Sequence, residues 1–348
     1  MAATIKALLI GRGDWQAPAD HLPGGREVQR YLVLTLLAAI PCVGVATYYF
    51  GPRVLAMLVV AFVAAAAVEI VFARVRKKPV GGGALVFAVL LVLILPFDTG
   101  ADAPAGAASQ PAAAEAVSQP ATQPGTIPLK SIPLWMVALG SAFGIFFGKE
   151  IFGGTGHHLF SPVLVGKGFL MFSYPTVVKG SYFGSMLDIP GEPTPWMIAS
   201  AVILLGAVAM IVARPGNWQT LVAIVATGAG LGYLMESIAA AQAGATTQAT
   251  QAAMAVSYLP YDSVLKLLAA DGFLFGVCFL ACDPACSPRT AVGKWIYGVL
   301  IGGVAVLMRC FSNYSEAMLS AVLMGNLFAP MLDVIVRGLA GRRAESEG

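Results

Sequence analysis

Val54-Leu-Ala-Met-Leu-Val-Val-Ala-Phe-Val-Ala-Ala-Ala-Ala-Val-Glu69-Ile-Val-Phe72 is a nineteen-residue run with a single charge. At about 1.5 Å of rise per residue, a helix of this length crosses about 30 Å of hydrocarbon. Neither this run nor Ile198 to Val212 shows the apolar and polar alternation that a barrel strand requires. A lone spanning segment in lipid must bond its own N–H and C=O groups, so these stretches are helices.

The rest of the chain extends that reading. Hydrophobic residues make up 58% and charged residues 11% of the 348, and the mean hydropathy is +0.79. That leaves too little polar surface to coat a soluble particle. Hydropathy places ten spans: Tyr31 to Phe50, Val54 to Ala73, Gly82 to Leu95, Leu134 to Phe147, Pro162 to Val177, Trp196 to Ala213, Trp218 to Ala240, Ser263 to Ala281, Val292 to Cys310 and Glu316 to Val336. The N-terminal arm, the cluster Arg74, Arg76, Lys77, Lys78, then Lys149, Arg214, Arg289 and the tail Arg337, Arg342, Arg343 all fall on one side. Arg53, Lys130, Lys179 and Arg309 are the exceptions. The positive-inside rule therefore puts both termini in the cytoplasm, and the expected setting is a bacterial inner membrane that the chain crosses several times.

The expected fold class is all-α: a polytopic membrane protein with about ten transmembrane helices in two inverted five-helix repeats with broken segments. Residues 1–30 form a cytoplasmic arm without a cleavable signal, and 31–177 a first membrane repeat. Residues 178–195 form an outer loop, 196–338 a second repeat and 339–348 a cytoplasmic tail. Within the first repeat, 98–130 is a disordered outer loop, rich in Ala, Pro, Gln and Ser from Asp98 to Gln123. A net charge of +3 spread over loops indicates no nucleic-acid surface.

Two stretches interrupt the helical pattern and resemble one another. Ser161-Pro-Val-Leu-Val-Gly-Lys-Gly168 follows the Gly-rich Gly153-Gly-Thr-Gly-His-His158, and Ser287-Pro-Arg-Thr-Ala-Val-Gly-Lys-Trp295 follows Cys282-Asp-Pro-Ala-Cys286. Repeats with interrupted segments place half-helix ends and freed backbone groups inside the protein, where ions or a cofactor bind. The plainer reading is a glycine turn at a helix end.

Glu69 stands inside an apolar span, where an ionisable group costs about 3 kcal/mol on insertion scales and marks a functional candidate. The alternative is a boundary pair with Arg74 or Arg76. Asp333 follows Asn326-Leu-Phe-Ala-Pro330 and either binds a cation or ends its span. Glu316 and Asp271 read as interface residues. Cys278, Cys282 and Cys286 would share a face of a continuous helix, but isolated thiols in apolar helices are usually packing residues, and no metal is expected. No catalytic triad, phosphate loop or dinucleotide fingerprint is present.

Several longer motifs carry a resemblance to a known family: Gly148-Lys-Glu-Ile-Phe-Gly-Gly-Thr-Gly156, Phe172-Ser-Tyr-Pro175, Asp283-Pro284, Gly293-Lys-Trp-Ile-Tyr-Gly298 and Asn326-Leu-Phe-Ala-Pro-Met-Leu-Asp333. From about Arg30 to Arg342 the chain resembles the NqrB subunits of the sodium-translocating NADH:quinone reductases and, more distantly, the RnfD subunits of the Rnf electron transport complexes. The resemblance implies a subunit of a membrane complex that passes electrons through flavins towards quinone and moves sodium. By the same likeness, Glu69 with Ala65 and Ala66 falls in the quinone region. Gly153, Gly154, Thr155, Gly156, Ser161, Asp283 and Pro284 lie near a non-covalent flavin, riboflavin or FMN. Phe273, Phe275, Phe279 and Asp333 match the sodium path. Partners are then the other subunits, lipid, quinone and the sodium ion.

Departures from the family pattern are visible. The Ser-Gly-Ala-Thr motif that anchors FMN covalently is absent, and the loop holds only Pro190-Gly-Glu-Pro-Thr194, with Thr194 as the substitute. Ala65 and Ala66 replace glycines before Glu69. An ion or solute channel without a redox centre, or a scaffold that has lost its cofactor, are the alternative functions.

Overall fold

The computed structural model describes residues 25–77, 82–96, 132–152, 154, 160–175, 177–178, 195–213, 217–243, 272–283, 286–311 and 316–346. Among these there are ten helices and no strand. They are α1 (Gly25–Phe50), α2 (Arg53–Arg76), α3 (Ala84–Ile94), α4 (Leu134–Ile145, continued by a π turn Phe146–Glu150) and α5 (Pro162–Ser173). The second set is α6 (Pro195–Ala213), α7 (Trp218–Ala243), α8 (Phe273–Phe275, continued by a π segment Gly276–Ala281), α9 (Ala291–Phe311) and α10 (Ala317–Ser346).

Local chemistry sets several boundaries. α1 ends where Gly51, at φ +77°, donates its N–H to the Thr47 carbonyl. Pro52 then fixes the entry to α2, whose last turn carries Arg74 and Arg76 against the negative end of its dipole. Among the described residues, five helices are long and apolar enough to cross a membrane: Leu32–Phe50, Arg53–Arg76, Trp218–Met235, Ala291–Phe311 and Ala317–Leu339. Their outward faces carry large exposed apolar residues such as Val59, Val63, Val299 and Leu327. A soluble protein would bury these, and here lipid covers them. The chain is a membrane protein.

Helices α3 and α8 depart from the ten-span expectation. α3 has only 11 residues, about half of what a crossing needs, and α8 with its π segment is no longer. α3 is apolar on every face and buried on nearly every residue from Ala84 to Leu95, as a helix without a polar stripe must be. Both stop inside the bundle. α3 passes into extended chain at Leu95 (ψ 144°) and α8 into Cys282.

The two sets of five pack alike. α2 lies on α4 as α7 lies on α9, and α4 on α5 as α9 on α10. Half-helix α3 sits between α1 and α5 as α8 sits between α6 and α10, and α1 packs on α6 where the halves meet. The Ser-Pro motifs do not mark equivalent points in this arrangement. Ser161 precedes α5, the fifth helix of its half, whereas Ser287 precedes α9, the fourth of its own. The equivalent points are the ends of the half-helices.

Between helices in lipid there is little hydrophobic driving force, so close packing of small residues has to hold them. On α4, Gly140, Gly144 and Gly148 face α5 at one-turn spacing. A Cβ on Gly144 would stand 2.7 Å from the Pro162 carbonyl oxygen, and one on Gly140 would stand 2.4 Å from Leu170.

Candidate functional site

Glu69 and Arg76 lie seven residues apart, hence on one face of α2, and that face meets the π turn of α4. Lys149 Nζ is 2.9 Å from Glu69 Oε1. Its neighbour Glu150 pairs with Arg76 through Oε2 at 3.3 Å, and the same guanidinium contacts the Glu150 carbonyl. Arg76 also covers the Phe72 ring, 5.4 Å from its centroid. Two acids and two bases thus form a neutral cluster at the α2–α4 seam. Such charges persist in an apolar bundle only when paired. The alternative reading, a boundary pair of Glu69 with Arg74 or Arg76, is not what forms: Glu69 takes Lys149, and Arg76 takes Glu150.

The pairing leaves something over. Glu69 is 2% exposed, its contact with Lys149 is not aligned as a hydrogen bond, and Oε2 has no hydrogen-bond partner among the described residues. Along the same seam runs an apolar groove of about 370 Å³, walled by Val68, Val71 and Phe72 of α2 and by Leu139, Phe143 and Phe146 of α4. Its size falls within the range of small-molecule sites, about 300–1,000 Å³.

A second, smaller cavity joins the two breaks. Phe87 of α3, Lys149, Ser161, Phe279 and Asp283 line it, so three residues chosen from separate stretches of sequence share one wall. Flat apolar walls with polar groups at one edge are the donor set a flavin ring uses. The volume is about 70 Å³, well below the usual range, so the lining suits the ring and the space in this form does not.

The remaining candidates are placed as follows. Gly154 has φ +103°, a conformation that favours glycine. Gly153, Thr155, Gly156, Pro284 and Thr194, with the neighbouring His157 and His158, lie outside the described residues. Phe273, Phe275 and Phe279 are buried on α8, and the last two rings lie 4.9 Å apart. Asp333 is half-buried on α10. Its carboxylate accepts from the backbone N–H groups of Arg289 (2.9 Å) and Thr290 (3.0 Å) and from the Thr290 hydroxyl (2.8 Å). It thereby caps the start of α9 from α10, as an acid caps a helix N-terminus. Cys278 lies in the π segment, while Cys282 and Cys286 lie beyond the end of α8. The three therefore do not share one helix face.

Three buried charged residues escaped the sequence reading, and a fourth, Glu316, was placed differently. Lys149 and Glu150, expected in a loop, are 4% and 5% exposed, and Lys167 and Glu316 are each 2% exposed. Glu316, read as an interface acid, is instead in a buried ion pair, 3.0 Å from Lys167 Nζ. The signal was present: Lys167 stands in an apolar run just as Glu69 does, and the same insertion cost applies to both.

The model of the NQR2, RnfD, RnfE family matches residues 16–105 and 124–340. The chain belongs to this family. Among its relatives, the NqrB subunit of the sodium-translocating NADH-quinone reductase of Yersinia pestis is 29% identical over 80% of this chain and 65% of its own length. The subunit of the same name from Pseudomonas paraeruginosa is 27% identical over 95% of this chain and 79% of its own. That from Ectopseudomonas mendocina is 29% identical over 83% and 67%. The chain spans about two thirds of the length of several of these relatives.

Proposed function

We propose that the chain is the membrane subunit of an ion-translocating NADH:quinone oxidoreductase, and that quinone meets it at the α2–α4 seam. One observation carries this reading: Glu69 is buried with an Oε2 that has no hydrogen-bond partner among the described residues, and it follows Val68, which walls an apolar groove on the same helix pair although Glu69 itself does not line it. A prenylated quinone needs both features, apolar walls for its tail and a polar group for its ring oxygen. Once that oxygen is reduced and protonated, the Glu69 carboxylate is the acceptor for its O–H. Family membership and the names of the relatives support the reading.

The same reading assigns the membrane and the neighbours. The complex sits in a bacterial inner membrane, both termini face the cytoplasm, and 31–177 and 196–338 act as its two inverted repeats. Phe273, Phe275, Phe279 and Asp333 line or support the sodium route. A flavin, held by Ser161 and Asp283 with Gly153, Gly154, Thr155, Gly156 and Pro284 around the breaks, would supply one-electron steps, and Thr194 is the candidate for covalent FMN. At about 70 Å³ the cavity is smaller than a flavin ring needs, so this chain's residues supply the lining only.

The test is a photoreactive quinone with a short prenyl tail, irradiated on the purified complex, followed by peptide mapping. Label on the segments 61–72 and 139–150, reduced by excess quinone, supports the site. Competable label confined to other segments contradicts it.

A further inference from the structure

Lys149 borders two features at once. Its Nζ lies 2.9 Å from Glu69 Oε1, and its side chain lines the cavity between the breaks together with Gly83, Ser161, Phe279 and Asp283. An ammonium carries three N–H donors, yet none of these is aligned as a hydrogen bond among the described residues, although Lys149 is 4% exposed. Buried polar groups are rarely left so, and water is the usual partner where the space is polar and large enough. One buried water needs a space of about 10–15 Å³. The cavity of about 70 Å³ therefore takes a few waters where a flavin ring does not fit. Gly83 keeps the approach to the ammonium open, since a Cβ there would stand 3.1 Å from Nζ. The charges around Lys149 are Glu69, then Glu150 with its partner Arg76, and Asp283 across the cavity wall. The Arg76 side chain is 29% exposed, and Arg74 and Lys77 beside it are exposed, so the cluster reaches inward from the aqueous end of α2.

We infer that this cavity is a water chamber, from which Lys149 is reloaded with the protons that it passes to Glu69 for reduction of the quinone. The inference rests on the quinone reading of the α2–α4 seam and names where the protons of the product enter. Quinone reduction takes two electrons, which NADH supplies through the complex, and two protons. For each proton, an N–H bond of Lys149 breaks and an O–H bond forms on the Glu69 carboxylate. The resulting acid gives that proton to a reduced ring oxygen, which leaves a neutral amine beside a carboxylate. Water in the chamber, resupplied from bulk water, returns a proton to the amine and restores the charged pair. Lys149 thus acts through Glu69 and not on the ring. An amine suits this task, because it releases and regains a proton where a guanidinium does not.

The test uses the native complex. Lys149→Arg keeps a positive charge beside Glu69 but has no proton to release near neutral pH. Lys149→Ala removes the group and leaves room for a small amine. Quinone reduction by NADH is measured beside NADH oxidation by a soluble acceptor, with photolabelling of segment 61–72 to show that quinone still binds. The expected result is that K149R keeps its Tm and its competable label while quinone reduction falls at least about tenfold. K149A should fall likewise, and methylammonium should restore its rate in a saturating manner that tetramethylammonium, charged but without a proton to give, does not reproduce. Full quinone reduction in K149R overturns the relay, as does restoration of K149A by both cations alike or by neither. If K149R does not assemble, the K149A series decides alone. Failure of the quinone reading is separate, because it shows as competable label absent from segment 61–72 in the unaltered complex.

Discussion

Lys149 Nζ stands 2.9 Å from Glu69 Oε1, with both side chains almost fully removed from solvent. Removing one partner of a buried pair leaves an uncompensated charge, at a cost of about 3–5 kcal/mol. Lys149→Met and Glu69→Gln should therefore each lower Tm. The change K149M should do more harm, because it strands a carboxylate. The double variant E69Q/K149M should recover most of the loss, and a thermal double-mutant cycle on the purified chain measures the coupling.

Packing of α4 on α5 should tolerate no side chain at Gly144, where a Cβ would stand 2.7 Å from the Pro162 carbonyl oxygen. Backbone cannot move aside as a side chain tip can. Gly144→Val should abolish the monodisperse peak in detergent size-exclusion chromatography. Gly168→Ala, whose Cβ meets nothing within 4 Å, should leave the peak unchanged.

The contrast between these glycines and the charged pairs shows what a sequence can carry. Long apolar runs such as Val54 to Phe72 declare their helices, because length and hydropathy alone fix a spanning segment. Half-helices are harder to read. Gly82 to Leu95 reads as a span by hydropathy, yet its 11 helical residues end inside the protein, since only the surrounding helices decide whether extended chain is tolerated at that depth. Glu69 was legible as a lone acid in an apolar run. Its partner was not, because Lys149 is eighty residues away and its burial depends on the π turn that folds it inward. Ser161 and Asp283 were legible as breaks, but their meeting at one cavity, lined also by Phe87 of α3 and Phe279 of the π segment, depends on how the distant helices pack.

Asp333 caps the start of α9 through two backbone N–H groups and a hydroxyl. Loss of such a cap costs about 0.5–2 kcal/mol. Asp333→Ala should lower Tm accordingly, and Asp333→Asn, which keeps an acceptor oxygen, should lower it less. If sodium-dependent turnover of the complex falls in D333N with Tm held, the carboxylate charge acts in ion movement as well as in capping.

Tyr297 donates its hydroxyl to Asn326 Oδ1 at 2.6 Å, and both residues are fully buried. Tyr297→Phe leaves the amide oxygen without that donor, with a cost of about 1–3 kcal/mol. Tm of the purified chain should fall, and Y297F/N326L should recover part of the loss by removing the buried amide.

Membership of the family and the absence of the Ser-Gly-Ala-Thr motif predict a flavin released by acid from the complex, with none remaining on this chain's band under ultraviolet light. Fluorescence that stays on the band would identify Thr194 as an attachment point.

Turnover of the native complex carrying Glu69→Gln tests the central claim most directly, when quinone reduction by NADH is measured beside NADH oxidation by a soluble acceptor that bypasses the membrane. The account predicts quinone reduction lowered at least tenfold with the soluble-acceptor rate unchanged. Full quinone reduction in that variant would contradict it and remove Glu69 from the quinone site.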